Sequence, residues 1–240
     1  MCRLFCKLSI TGGFVKKREV NYTATAEDRS LWLQAFATYV SRITNKFDTT
    51  QIINKIWRGK YIETHTINSS QILNRDTETI AYLISQCLDN KVVMVNENHF
   101  TTQHRMLLYI LLDSLYKIGY NYLAMEALWE NDSVLNQRAF TVTNTGLYTR
   151  EPMMSNIIRK AFKLGYKIIG YDDFSTDRET QQAKNIYNKT LLQDSTAKVL
   201  VFAGFDHIDE RKMKMAKKFH QISNINPLTI NQTDYNNRLK

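Results

Sequence analysis

The chain has 240 residues, 43% hydrophobic and 23% charged, the composition of a folded protein with ample core rather than of a disordered one. Two prolines and eight glycines are too few for a turn-rich β-sandwich. The net charge of +9 invites a nucleic-acid reading, but the basic residues are spread along the chain and no aromatic RNA-binding pattern accompanies them.

Residues 1–27 show little periodicity and are expected to form a loosely ordered N-terminal segment. They carry Arg3 and Lys7 but no apolar core before a small-residue cleavage site, so no secretory signal is expected. No stretch reaches the ~18 apolar residues of a spanning helix. The expectation is a soluble protein, cytoplasmic by default, or exported if the start of the chain is misassigned. Cys2, Cys6 and Cys87 form neither a metal-ligand set nor a disulfide framework.

Residues 28–90 read as a helical segment packed on the core. Leu31, Leu33, Phe36, Tyr39, Val40 and Ile43 recur at helical spacing over 30–47, and 51–57 and 77–88 read the same way. Beyond residue 90 the rhythm changes, and 91–240 reads as one α/β domain. A strand over 92–95 precedes a helix over 104–118 closed by Gly119. A strand over 122–127 precedes a helix over 152–164 closed by Gly165. Then come a strand over 167–171, a helix over 177–192, a strand over 199–203, a basic helix over 210–222, and a short strand over 228–230. The group Arg211, Lys212, Lys214, Lys217 and Lys218 fits that last helix as a solvated face. Strand alternating with helix predicts an α/β fold, mainly a parallel β-sheet with flanking helices, plus the N-terminal helical segment. The connection over 129–150 far exceeds the ~2–6 residues usual in such folds. It is a candidate lid or substrate-binding segment, with a plain surface insertion as the alternative.

In a parallel sheet the carboxyl ends of the strands share one rim, where ligands bind. Here those ends carry Glu97 and His99, then Glu126, then Asp172 and Asp173, then Asp206 and His207. Glu97 and His99 are two apart and point the same way in an extended continuation. Glu126 follows an apolar run, so its carboxylate needs a partner such as Arg105, a histidine or a metal. Such a cluster either ligates a divalent ion that activates water, or uses a carboxylate-oriented histidine as general base without metal. The residues alone do not choose. Neither a His-Glu-x-x-His helix, a Gly-x-Ser-x-Gly elbow, a Walker loop nor a Gly-x-Gly-x-x-Gly turn is present.

Plain structural roles compete with each assignment. His99 would be satisfied by a backbone carbonyl, and Glu126 would pair with Arg105. Asp172 and Asp173 would cap the third helix or its loop, and His104 would open a helix and orient a neighbour. His65 and His220 read as surface residues.

The segments Val93-Met-Val-Asn-Glu-Asn-His99, His104-Arg105, Leu123-Ala-Met-Glu126 and Ala203-Gly-Phe-Asp-His207 resemble, in order and spacing, the erythromycin-esterase-like, ChaN-like and TIKI/TraB-like superfamily. The resemblance covers about residues 90 to 232 and looks nearest to a Bacteroidetes-type bacterial subgroup, in which Tyr148-Thr-Arg-Glu151 and Asn226-Pro-Leu-Thr-Ile230 also look familiar. One departure stands out: Asn96 occupies a position that is usually glycine.

Esterase-like kinship implies ester hydrolysis with His99 as base among Glu97, Arg105 and Glu126. TIKI-like kinship implies a metallopeptidase whose ligands are His99, Glu126 and His207. ChaN-like kinship implies haem binding without turnover. The leading expectation is a hydrolase of an ester or amide bond, acting on a small-molecule or peptide substrate and not on nucleic acid. His99 would be base or ligand, Glu97 its orienter, and Arg105 the oxyanion stabiliser. Glu126 would be the buried carboxylate that binds metal or fixes Arg105, and His207 the second ligand or acid. His104, Tyr148, Arg150 and Asp172 are candidate substrate contacts. The cofactor, if any, would be a divalent metal ion before haem. The rivals are a haem- or small-ligand-binding protein, and a degenerate member kept as an interaction domain.

Overall fold

The computed structural model describes residues 76–99, 101–129 and 132–233. The expected segment 1–27 and the expected helices over 30–47 and 51–57 lie outside them, as does His65. Helix α1 (Asp76–Cys87) leads into β1 (Val92–Glu97), α2 (Thr102–Lys117), β2 (Tyr120–Met125), a short α3 (Leu135–Arg138), α4 (Pro152–Leu164), β3 (Lys167–Gly170), α5 (Arg178–Lys189), β4 (Lys198–Gly204), α6 (Met215–Ser223) and β5 (Leu228–Ile230). The five strands form one sheet in the order β3-β2-β4-β1-β5, and every neighbouring pair is parallel.

Both faces of the sheet are covered, which is why its central strands read as continuous apolar runs rather than alternating ones. Val93, Val95, Leu123, Met125, Leu200 and Phe202 meet Leu108, Leu111, Leu112 and Leu115 of α2 and Ile157, Ile158 and Ala161 of α4. Their in-between neighbours Val92, Met94, Ala124, Val199, Val201 and Ala203 meet Ala183 and Ile186 of α5 and Met215, Ala216 and Phe219 of α6. The period of two along each strand thus divides the core into two layers.

Helix ends follow local chemistry. The carboxylate of Glu151 accepts the amides of Met153 (3.0 Å) and Met154 (2.8 Å), and Pro152 fills the first helical position of α4. The expected closing glycines take left-handed backbone, Gly119 at φ 99° and Gly165 at φ 100°. The basic helix starts later than expected, at Met215 instead of residue 210. The carboxylate of Asp209 accepts the backbone N–H (3.0 Å) and Nε–H (2.8 Å) of Arg211, and Lys214 is extended. Arg211, Lys212 and Lys214 therefore sit on the turn before the helix, not on its face.

The described part of the long connection is tied by side-chain hydrogen bonds. Asp132 accepts both terminal nitrogens of Arg138 (3.0 and 2.6 Å) and the hydroxyl of Thr145 (2.5 Å). A Cβ on Gly146 would meet the carbonyl oxygen of Ala127 at 1.9 Å, so this close approach to the end of β2 requires glycine. On edge strand β3, Asn136 donates to the carbonyl of Ile168 (2.7 Å) and accepts its N–H (3.0 Å). Among the described residues no helix is long and apolar enough to cross a membrane.

Candidate active site

β1 and β2 leave the sheet toward the α2/α4 face, while β4, between them, leaves toward the α5/α6 face. Chains that part in opposite directions leave an opening at their carboxyl ends, the usual ligand position in open α/β sheets. Glu97, Glu126 and Gly204 stand at this point.

On the α2/α4 side, the Glu97 carboxylate is gripped by Arg105 of α2 through Nε (2.6 Å) and Nη2 (3.0 Å). The guanidinium, 0% exposed, also donates to Glu151 (3.1 Å) and to the carbonyl of His99 (3.2 Å). Burial would raise the Glu97 pKa, but the charge of Arg105 and the bonds from His99 and Arg105 outweigh it and hold it down at about 2. Glu97 is therefore ionised and can only accept, so Nδ1 of His99, 2.8 Å from its Oε1, is the donor. In a neutral imidazole this bond places the proton on Nδ1 and makes Nε2 the basic nitrogen. The imidazole stacks on Tyr148 (centroids 4.6 Å apart, planes 19° apart) and takes the Phe205 ring on its edge (4.7 Å, 87°). Phe205 reaches that place in left-handed backbone at φ 38°, a conformation rare outside glycine.

On the α5/α6 side, Glu126 accepts the N–H of Gly204 (2.5 Å) and Nη2 of Arg178 (2.9 Å). Arg178 in turn donates to Asp172 from Nε (3.0 Å) and Nη2 (2.7 Å). His207 sets Nε2 3.6 Å from Glu126 Oε1 and bonds Glu179 through Nδ1 at 3.0 Å. Glu179 is pinned by Lys214 Nζ (3.0 Å) and the N–H of Met215 (2.8 Å). Burial lowers the His207 pKa, yet the Glu179 bond and the Glu126 charge more than offset this, and the net shift is upward.

Gly204 joins the two sides. A Cβ there would lie 2.6 Å from His99 Nε2 and 3.1 Å from Glu126 Oε2, so both groups close on one point above β4. The structure thus brings together Glu97, His99, Arg105, Glu126, Tyr148, Asp172 and His207.

Other expected roles need correction. Arg105 is fully buried and spent on Glu97, Glu151 and the His99 carbonyl, so it cannot reach a substrate oxyanion. The arginine on Glu126 is Arg178, not Arg105. His104 accepts the N–H of Asn98 at Nδ1 (2.9 Å), the neighbour-orienting role rather than a substrate contact. Arg150 is exposed and donates to the carbonyl of Thr143 (3.0 Å), holding the connection. Asp173 accepts the N–H of Ser175 (2.7 Å) within its own loop. His220, expected at the surface, has Nδ1 buried with no hydrogen-bond partner.

Sequence reasoning missed Arg178, Glu179 and Glu151. A signal existed for the first: an arginine opening a helix opposes the helix dipole and needs another reason to be there. Glu179 in the same turn suits that dipole and so attracts no notice.

The expected metal ligands His99, Glu126 and His207 stand near one another but not as an ion-binding group. Among the described residues no group of three His, Cys, Asp or Glu side chains is disposed to hold an ion. Arg178 and the Gly204 amide occupy the Glu126 oxygens.

Fold and site together define a parallel α/β protein with two histidine–glutamate pairs flanking the central strand. No protein-family model matches the chain, and no curated protein sequence matches it. It is similar to a solved structure titled "Bacterial protein toxins" (TM-score 0.47, 13% identity), over 86% of this chain and 46% of that one. It is also similar to RRSP, a MARTX toxin effector domain from Vibrio vulnificus (TM-score 0.38, 16% identity), over 75% of this chain and 39% of that one. The chain spans less than half the length of either structure.

Proposed function

We propose that the chain hydrolyses an ester or amide bond with water as nucleophile and His99 as general base, the activity implied by the esterase-like resemblance. The observation that carries this is the locked imidazole: Nδ1 is held on an ionised Glu97 that buried Arg105 fixes in place, while Nε2 and Glu126 Oε2 both close on the point above Gly204. In such a step Nε2 takes a proton from water and the hydroxide attacks the substrate carbonyl. Arg178, whose side chain is 37% exposed beside Glu126, is suited to stabilise the oxyanion. His207, whose pKa is raised by its bond to Glu179 and the charge of Glu126, is suited to give its proton to the leaving oxygen or nitrogen. Glu126 lies 3.6 Å from Nε2 of that acid. With both Glu126 oxygens bonded and no ion-binding group among the described residues, no step is assigned to a metal.

The test is a screen of aryl esters and peptide amides with wild type, His99→Ala, and wild type after chelator treatment. Wild type turns substrate over, the chelator leaves the rate unchanged, and His99→Ala loses at least about 100-fold. Equal turnover by wild type and His99→Ala removes His99 from the reaction, and loss of activity on chelation restores the metal reading.

A further inference from the structure

Asn96, where the resembling superfamily usually has glycine, is fully buried. Its Nδ2 lies within bonding distance of the Phe205 carbonyl (2.5 Å), Asn231 Oδ1 (2.8 Å) and Thr233 Oγ1 (3.0 Å). Two hydrogens shared among three acceptors make a branched contact. Its Oδ1 accepts the N–H of Gln232 (2.7 Å). The Gln232 side-chain amide returns to the Asn96 carbonyl (2.6 Å) and to that of His104 (3.2 Å). His104 accepts the N–H of Asn98, the residue between Glu97 and His99. The N–H of Phe205, whose ring lies against His99, donates to the Glu97 carbonyl (2.7 Å).

We propose that residues 231–233 are a positioning strap for His99, clasped by Asn96 and acting through both supports of the imidazole. One is the Glu97–His99 turn, reached through His104; the other is Phe205, reached through the Asn96 amide. Asn96 is then a gain rather than a lapse. Glycine at this position would release the Phe205 carbonyl, the Gln232 amide and the side chains of Asn231 and Thr233 together. A catalytic consequence rests on the hydrolase reading, but the positioning itself does not.

The test uses the full chain with Gln232→Met, which keeps length and removes the donors, and Asn96→Gly. Side-chain nitrogen NMR reads the tautomers of His99 and His207, with His99→Gln assigning the signal. Wild-type His99 shows a single Nδ1–H tautomer. Both variants show mixed or exchange-broadened His99 signals while His207, held by Glu179, is unchanged. With a substrate in hand, kcat falls about 10- to 100-fold and KM stays within about twofold. A His99 signal that stays a single tautomer in Gln232→Met overturns the strap, as does equal disturbance of both histidines. Absence of wild-type turnover would refute the hydrolase reading and leave the tautomer measurement to judge the strap.

Discussion

The tightest point of the site is above Gly204, and Gly204→Ala probes it directly. The backbone there has no left-handed requirement, so the effect of the methyl is steric. The new Cβ would lie 2.5 Å from His99 Cε1 and 2.6 Å from Nε2, against an ordinary contact limit near 3.4 Å. The ring must therefore move by about 1 Å, and stacked Tyr148 and the Phe205 edge limit where it can go. A displacement of ~1 Å at a reacting group costs roughly 100-fold in rate, about 2.7 kcal/mol of barrier. Overpacking should cost ~1–3 kcal/mol of stability. The control is Gly170→Ala, whose methyl meets Leu128 Cβ at 3.0 Å and the Leu128 carbonyl at 3.1 Å. Denaturant melts and kcat/KM on a substrate of the wild type separate the two: Gly170→Ala loses stability without the rate loss. A Gly204→Ala protein with wild-type kcat/KM would mean that His99 Nε2 is not where the chemistry occurs.

Three further outcomes are expected. Glu97→Gln removes the main counter-ion of buried Arg105 and should destabilise by ~3–5 kcal/mol in urea unfolding, because the guanidinium is left under-compensated. The Glu97 pKa falls from 4.5 unfolded to about 2 folded, so its contribution is present above pH 4.5 and lost as pH drops toward 2. That loss amounts to about 3 kcal/mol and should shrink in Glu97→Gln when stability is followed through acid titration. With the His207 pKa raised, a reaction needing its proton declines on the alkaline side, above the usual histidine value. Glu179→Gln removes the principal raising contact, so the alkaline limb of the kcat profile should move to lower pH; an unmoved limb assigns it to another group.

Much of this site was legible because strand ends announce themselves. The runs 92–95 and 199–203 each stop at an acid-and-histidine tag, and a parallel sheet sends those tags to one rim. The order of the strands was not legible: β4 lies between β1 and β2, so Gly204, in the sequence only one letter of a short motif, meets both His99 and Glu126. Arg178 and Glu179 were missed because a charged pair at a helix start reads as solvated surface until the sheet brings Glu126 and His207 beside it. Glu151 before Pro152 reads as a helix cap, which it is; its second bond, to Arg105, depends on a residue 46 positions away. The late start of α6 was hidden because lysine and arginine favour helices, while the side-chain bonds of Asp209 favour the turn.

The double duty of Glu151 has a dynamic consequence. One carboxylate closes the first turn of α4 and also neutralises the arginine that holds Glu97, so the two cannot open independently. Fraying of α4 would free Arg105 to relax, and protonating or removing Glu151 would loosen both ends at once. The helix start and the histidine base then belong to one cooperative opening unit. The amides of Met153 and Met154, measured by hydrogen exchange, would report on the integrity of a site they do not touch.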